Sequence, residues 1–391
     1  MARKQLIALF IGSLVDWTVG SGIIGLLPIY AKELGADPAQ IGYFMASTFL
    51  AFGTGSTFGG WLSDRYQRRK GVLLISGTLV IPFIISLRFV TDFWLLVVVT
   101  FLVWFLAGTG FANVNILVGM YAEKAERGRI FGIISVTNSL GTLIGGLASG
   151  PIVDRWGFPA LFLAAAAFWV LQPLAALFLE DRPLVSSGSE GQLQPAGLRA
   201  LSLGYFIFLS ANVVAWVSAH VGGLGRPLVM DDLGFDATAI SSAVAISGAV
   251  TLPLPVLFGW LSDRLGRKPL LLLCYLASSV GSLVLVSSVS VGQFWLVAVL
   301  HASMYASLGV GRAYVVDLAP PGSLGIGMAL FGITASIAGF FSLSVTGIAI
   351  EQYGMNPTMI AGAAFSLIAI PMLFFVRQSL SVPAEEVAVP V

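Results

Sequence analysis

Residues 60–70 read GWLSDRYQRRK, and residues 259–269 read GWLSDRLGRKP. Both stretches begin with the same six residues, and they lie 199 positions apart. An ordered agreement of this kind, continued along the chain, predicts two halves built on one repeated unit. The further matches, all at nearly the same spacing, are Pro28 with Pro227, Leu34-Gly35 with Leu233-Gly234, Phe93-Trp94-Leu95 with Phe294-Trp295-Leu296, and Gly150, Asp154 and Gly157 with Gly347, Glu351 and Gly354.

The composition is typical of a protein whose solvent is lipid. Of the 391 residues, 57% are hydrophobic and 10% are charged, whereas a soluble domain carries about 25% charged residues. A soluble protein of this composition would expose a largely apolar surface. The sequence has no phosphate-binding loop and no metal-ligand spacing, and the net charge of +1 does not indicate a nucleic-acid partner. We therefore predict no cofactor, no metal and no enzymatic activity.

A membrane-spanning helix needs about 20 mostly apolar residues. Breaking the chain at charged and turn-forming positions gives twelve such runs, near residues 6–30, 39–62, 71–88, 93–120, 130–152, 158–179, 200–228, 238–261, 269–289, 293–316, 324–349 and 356–376. The predicted fold class is an all-α membrane protein with twelve transmembrane helices in two pseudo-symmetric six-helix bundles. Because each repeat has an even number of helices, the two bundles share one orientation in the membrane.

The predicted domains follow the repeat. Residues 1–180 form the N-terminal bundle and residues 200–378 the C-terminal bundle. Residues 181–199 are rich in Ser, Gly and Pro, so we expect a flexible cytoplasmic linker. Residues 379–391 are expected to be a disordered tail.

Basic residues indicate the orientation, because cytoplasmic loops carry an excess of Lys and Arg. With the N-terminus in the cytoplasm, fifteen basic residues lie inside and four outside, namely Lys32, Arg88, Arg155 and Arg226. Arg312 falls within a helix. This ratio predicts a multi-pass protein of a prokaryotic plasma membrane with both termini cytoplasmic.

The duplicated stretch resembles the signature loop of the major facilitator superfamily, in which a glycine is followed by Asp-Arg and then by a Gly-Arg-Arg or Gly-Arg-Lys turn. Gln67 replaces the usual turn glycine in the first copy. Glycine allows a second helix to approach closely, and an acid can accept hydrogen bonds from a nearby arginine or a helix N-terminus. The resemblance implies a conformational latch between the halves. Its predicted residues are Gly60, Asp64, Arg65, Arg68, Arg69, Gly259, Asp263, Arg264 and Arg267.

The fifth run contains Gly141, Gly145, Gly146 and Gly150, which resemble the glycine-rich antiporter motif of the same superfamily. Small residues at four-residue spacing predict close helix packing. Gly146 stands where the motif has a proline, so the motif does not by itself indicate antiport. In the fourth run, Trp104 stands where drug antiporters have an arginine, and a proton-linked role of that arginine does not carry over.

Asp16 lies about ten residues into the first run. A charged residue near the bilayer centre costs about 2.5–3.5 kcal/mol on insertion scales, so it usually faces an aqueous cavity or a partner. Its counterpart in the repeat is Ala215, so the fold itself does not require an acid there. The stretch resembles the first helix of tetracycline–proton antiporters, which implies a role in proton or substrate handling. The alternative is a structural hydrogen bond to a neighbouring helix.

Other residues are candidates for a polar or aromatic midplane between the bundles. Arg312 can offset Asp16, bind an anionic group or snorkel to the surface. His301 can titrate near neutral pH or serve as a packing residue. The remaining candidates are the amides Asn113, Asn138 and Asn212 and the aromatic residues Trp17, Trp216 and Tyr305, for which helix joining and core packing are the alternatives.

These features predict a secondary transporter with alternating access, exporting a small lipophilic or amphipathic organic solute in exchange for protons. The expected partners are this solute, protons and the lipid bilayer, and the expected state is a monomer. One alternative is a symporter or facilitator for a small organic acid or sugar. Another is a non-transporting membrane receptor or scaffold.

Overall fold

The computed structural model describes residues 3–121, 126–180, 198–320 and 323–376. The predicted tail and nearly all of the predicted linker lie outside these residues. The described N-terminal half contains α1 (Arg3–Ile24), α2 (Leu27–Glu33), α3 (Pro38–Tyr66), α4 (Arg69–Ser86), α5 (Phe93–Tyr121), α6 (Arg127–Trp169) and α7 (Leu171–Leu177). The described C-terminal half contains α8 (Leu203–Asp232), α9 (Ala237–Thr251), α10 (Leu254–Leu265), α11 (Arg267–Val286), α12 (Val291–Leu318), α13 (Leu324–Tyr353), α14 (Met355–Leu367) and α15 (Ala369–Phe375).

The helices have the length and composition of membrane spans. Within the described ranges, nine helical stretches are long and apolar enough to cross a membrane, and α9 with α10 makes a tenth as one bent span. One of the nine, residues 129–177, is two arms joined at Gly157. The 29-residue α3 is long enough but is less apolar. The set is consistent with the twelve predicted spans.

The sequence repeat is also a repeat of backbone conformation. Within the described residues, every position with a positive φ has a partner in the other half, at the spacing of the sequence repeat. Gln67, which replaces the signature glycine, adopts the left-handed conformation that usually favours glycine. Gln67 therefore preserves the turn at the end of α3, although it departs from the motif. The pairs are Gly35 (84°) with Gly234 (79°), Gln67 (54°) with Gly266 (86°), and Gly157 (76°) with Gly354 (86°).

Local chemistry explains where the helices that join the halves begin. Asp37 precedes α3 and forms a capping box with Gln40, and Pro38 occupies the first helical turn, where its missing N–H is no loss. Asp236 caps α9 in the same way by accepting a hydrogen bond from Ala239 N. Both caps lie at the same end of the molecule.

We call that end the closed end, and the end that carries the two signature stretches the motif end. At the closed end one apolar cluster includes residues of both halves, such as Ile41, Phe44, Leu224 and Leu343. At the motif end the core is divided into one cluster in each half. Among the described residues, the contacts between the halves lie mainly at the closed end and the middle of α2, α3, α6, α8, α9 and α13, so the halves enclose a cleft that opens at the motif end.

Candidate functional site

Asp16 lies in a small pocket inside the N-terminal half. The pocket is lined by α1 together with residues of α3, α5 and α6, including Phe52, Thr100, Trp104 and Trp169. Both carboxylate oxygens of Asp16 are buried, and neither has a hydrogen-bond partner among the described residues. The structural hydrogen bond that was the alternative for Asp16 is therefore not formed in this conformation. A buried carboxylate without a donor is costly to keep charged.

The pocket has room for solvent. Its volume is about 40 Å³, and a cavity of about 10–15 Å³ by this measure is enough for one water molecule. The Thr100 hydroxyl lines the same pocket and also has no described partner. The pocket is therefore large enough for water beside the unpaired oxygens of Asp16 and Thr100.

Aromatic rings surround this pocket. Phe111 contacts Trp17 edge to face, with the ring centroids 6.0 Å apart, and lies 5.3 Å from Phe52. Phe52 also contacts Trp104. Trp169 also has a structural role, since its indole N–H donates to Gly77 O at 3.1 Å.

A second aromatic group lies in the C-terminal half, where that half contacts the N-terminal half. Trp216 contacts Tyr305 edge to face at 5.2 Å and His220 at 5.4 Å. Phe49 of the N-terminal half in turn contacts His220 at 5.1 Å. Trp216 is buried, whereas Tyr305 is 51% exposed. Trp216 and Tyr305, both candidate residues from the sequence, therefore lie together beside the cleft.

Arg226 is a candidate site residue that the sequence reasoning counted only among the outward-facing basic residues. The residue lies within α8, six positions before the end of that helix at Asp232. Its charge interacts electrostatically with Tyr305 and His301. Two signals for its role were available in the sequence: it lies within the predicted run 200–228, and the matching position in the repeat is the uncharged Leu27.

Two of the three predicted amides, and His301, join helices. Asn113 is buried between α3 and α5, where its amide donates to Thr109 O at 2.8 Å and its carbonyl accepts from Ser63. Asn212 links three helices, and His301 lies within 3.2 Å of Ser282 Oγ. Asn138 is half-buried on α6. The partners of Asn212 are Thr334 at 2.7 Å and Tyr275 at 3.1 Å.

Arg312 is exposed on α12, six residues before the end of that helix at the motif end. It forms no ion pair with Asp16 in the described part of the chain. This position favours the snorkelling alternative over the offset of Asp16.

The signature stretches contact only their own halves among the residues described. Arg69 is buried and lies 3.7 Å from the exposed Asp64, and Arg267 pairs with Asp317 at 3.1 Å. A side chain added at Gly60 or Gly259 would meet nothing within 4 Å. The predicted latch is therefore disengaged between the halves in this conformation. Arg65, Arg68 and Asp263 are exposed, and Arg264 lies 3.9 Å from the Trp260 ring.

The glycines of α6 pack on two different neighbours. Gly141 and Gly145 lie against the backbone of α1, near Thr18. Gly146 and Gly150 lie against the backbone of α9 in the other half, near Ala245 and Ala237. The same small-residue face therefore holds the N-terminal bundle together and joins the halves at the closed end.

Two polar contacts that the sequence did not predict also join the halves there. Asp154 accepts hydrogen bonds from Ala237 N and Thr238 N, both at 2.9 Å. Lys32 pairs with Asp231 at 2.5 Å and with Asp232 at 2.6 Å. Burial alone lowers the pKa of Lys32, but its hydrogen bonds to the two aspartates outweigh that effect, so the pKa is raised.

Comparison with known proteins identifies the family. The sequence model of the Major Facilitator Superfamily matches residues 9–225 and 201–388. The chain belongs to the major facilitator superfamily. Its relatives include the multidrug resistance protein MdtG of Klebsiella pneumoniae, 23% identical over 71% of this chain and 69% of that protein. MdtG of Proteus mirabilis is 25% identical over 69% of this chain and 70% of its own length.

Solved transporters share the fold. The nucleoside transporter NupG matches 95% of this chain and 98% of its own at a TM-score of 0.76, with 16% identity. A bacterial homologue of the lysosomal transporter Spinster matches 97% of this chain and 100% of its own at a TM-score of 0.74, with 14% identity. The fold agrees with the family match, by which the chain is a multi-pass membrane transporter, and the receptor or scaffold alternative is set aside.

Proposed function

We propose that this transporter exports lipophilic or amphipathic organic solutes across a bacterial cytoplasmic membrane in exchange for protons. The observation that supports the proposal most directly is Asp16, a carboxylate without a described partner in an aromatic-lined pocket of the N-terminal half. An ionisable residue within a membrane-spanning helix is a functional candidate. The relatives carry the name multidrug resistance protein, which agrees with export.

The orientation belongs to the same proposal. With both termini in the cytoplasm, the motif end is cytoplasmic and the closed end faces outward. The described conformation then opens inward, ready to load a solute for export. Asp16 binds a proton from the outer side and releases it to the cytoplasm once in each cycle, and the described conformation, in which the carboxylate is buried, is the proton-bound stage.

Reconstituted liposomes test this proposal. We expect a pH gradient to drive uptake of at least one dye from a panel of a cationic, a neutral and an anionic amphiphile, with release of protons in the opposite direction. Asp16→Asn should abolish the dependence on the gradient, and Asp16→Glu should retain part of it. Glu351→Gln, which removes an exposed carboxylate at the closed end, is the matched control. Uptake that keeps its pH response in Asp16→Asn contradicts the proposal.

Arg226 favours a second candidate, the symport or facilitated transport of a small organic acid, because a cation in the cleft can bind a carboxylate. The way in which solute transport depends on the pH gradient distinguishes this candidate from export. Symport moves solute and protons the same way, and facilitated transport proceeds without a gradient.

A further inference from the structure

Arg226 lies well inside the membrane-spanning part of α8. Six residues separate it from the end of the helix at Asp232, which at about 1.5 Å per residue is a depth of roughly 9 Å. Side chains of a helix lean toward its N-terminus, and the N-terminus of α8 is at the motif end. The long side chain of Arg226 therefore extends toward the middle of the molecule. Its electrostatic interaction with Tyr305, fourteen residues into α12, agrees with that direction.

The guanidinium has no acidic partner in the described parts of the chain. The ion pairs there belong to Lys32, Arg69 and Arg267, and no described hydrogen bond includes Arg226. The lipid-facing option of a snorkelling arginine does not fit, since Gly222, one turn earlier on the same face of α8, packs against the ring of His301, a buried residue of the core. A half-buried arginine of this kind is available to pair with an anion, and the described residues do not supply one in this conformation.

The surroundings of Arg226 suit the apolar body of a ligand. Tyr305 is half exposed and packs on Trp216. The indole nitrogen of Trp216 is buried and has no described acceptor, so it is a second unpaired donor beside the same ring. Phe49 reaches His220, the neighbour of Trp216, from the opposite half. A ligand here would contact both halves, as alternating access requires.

We propose that Arg226 binds an anionic group of the transported solute, so that the substrates are amphipathic organic anions. The anion accepts hydrogen bonds from the guanidinium, whose fork of N–H groups suits carboxylate and phosphate-like oxyanions, sulfonates included. The apolar body lies against Tyr305 and Trp216. The inference rests on the proposed function in one respect only, that the solute passes through this cleft.

Two fluorescent probes with one apolar body test the charge requirement. Dansyl sulfonate is an anion, and dansylamide is its neutral counterpart. Saturable binding of each is measured on the purified full chain in detergent, without a pH gradient. We expect the unaltered protein to prefer the sulfonate, and Arg226→Gln to lower sulfonate affinity about tenfold or more while changing dansylamide affinity less than about twofold.

Two further variants separate charge from folding. Arg226→Lys keeps the charge and should retain most of the preference for the sulfonate. Arg88→Gln removes an exposed arginine at the closed end and should leave both affinities unchanged. Equal losses of both probes in Arg226→Gln, or an unaltered protein that does not bind the sulfonate better than the amide, overturn the inference.

This experiment also separates the inference from the proposed function. Sulfonate binding that depends on Arg226, combined with uptake that ignores the pH gradient, supports the anion site and contradicts proton-coupled export. Uptake that follows the pH gradient but is equal for both probes, in the presence and absence of Arg226, supports export and contradicts the anion site.

Discussion

The two helix pairs that join the halves at the closed end are related by the repeat, yet they are held differently. In the pair α6 and α9, glycines pack on the facing backbone, and Asp154 accepts two N–H groups at the start of α9. In the pair α13 and α3, Gly347 packs on Gly42, but the counterpart acid Glu351 is exposed and has no described partner. The packing is common to both pairs, and the polar contact belongs to one.

A single residue explains the difference. The first residue of α9 is Ala237, which offers an N–H, whereas the first residue of α3 is Pro38, which has none. An acid at the end of α13 therefore finds one fewer donor at the start of α3. Duplication has preserved close glycine packing in both interfaces, while the charge-assisted cap, which also benefits from the helix dipole, is restricted to one of them.

The largest effect should come from the packing that both interfaces share. A methyl group at Gly150 or Gly42 would collide with backbone atoms of the opposite half, and such overpacking costs about 1–3 kcal/mol. We expect Gly150→Ala and Gly42→Ala each to open the closed end. Spin labels at Arg88 and Val289, exposed residues on matching loops of the two halves, should report a longer distance by electron paramagnetic resonance.

Gly132→Ala provides the control, since the added methyl group meets nothing within 4 Å on the motif-end part of α6. If it lengthened the distance as much as Gly150→Ala, helix propensity rather than contact between the halves would explain the effect. An effect of Gly150→Ala without one of Gly42→Ala would show that the two interfaces differ in packing too.

A smaller effect should come from the polar contact that only one interface has. Asp154→Asn keeps an acceptor but removes the charge at the start of α9, which should weaken the closed end by about 1 kcal/mol. Its repeat counterpart, Glu351→Gln, should leave the distance between the two labels unchanged. Equal shifts in the two variants would mean that Asp154 does not act through the cap.

The fold was predictable because its signals repeat. The runs of apolar residues, the duplicated signature and the matched glycines each appear twice, and each copy supports the other. The role of Gln67 was less predictable, because only the backbone reveals that a glutamine has taken the left-handed turn conformation. Asp16 stood out as an acid in an apolar run, although its lack of a partner required the structure.

The contacts between halves were beyond the sequence. Asp154 and Ala237 lie 83 positions apart, and no local pattern links them. Arg226 was counted among the outward-facing basic residues because the predicted run ended at residue 228, whereas α8 continues to Asp232. Both terminal aspartates of the helix pair with Lys32, and that partner comes from the other half.

The smallest effect concerns pH and the region where Lys32 of one half pairs with Asp231 and Asp232 of the other. Burial, reinforced by the charge of Asp231, raises the pKa of Glu33 above its ordinary value of 4.5. In a conformation open at this end Asp231 moves away, so the closed conformation binds the proton more tightly. Its extra stability is complete below the ordinary pKa and is lost as pH rises through the raised one. The labelled protein should therefore show a somewhat larger closed population at acidic pH. Glu33→Gln should remove that part of the response, Glu351→Gln should keep it, and an unchanged response in Glu33→Gln would assign the effect to another group.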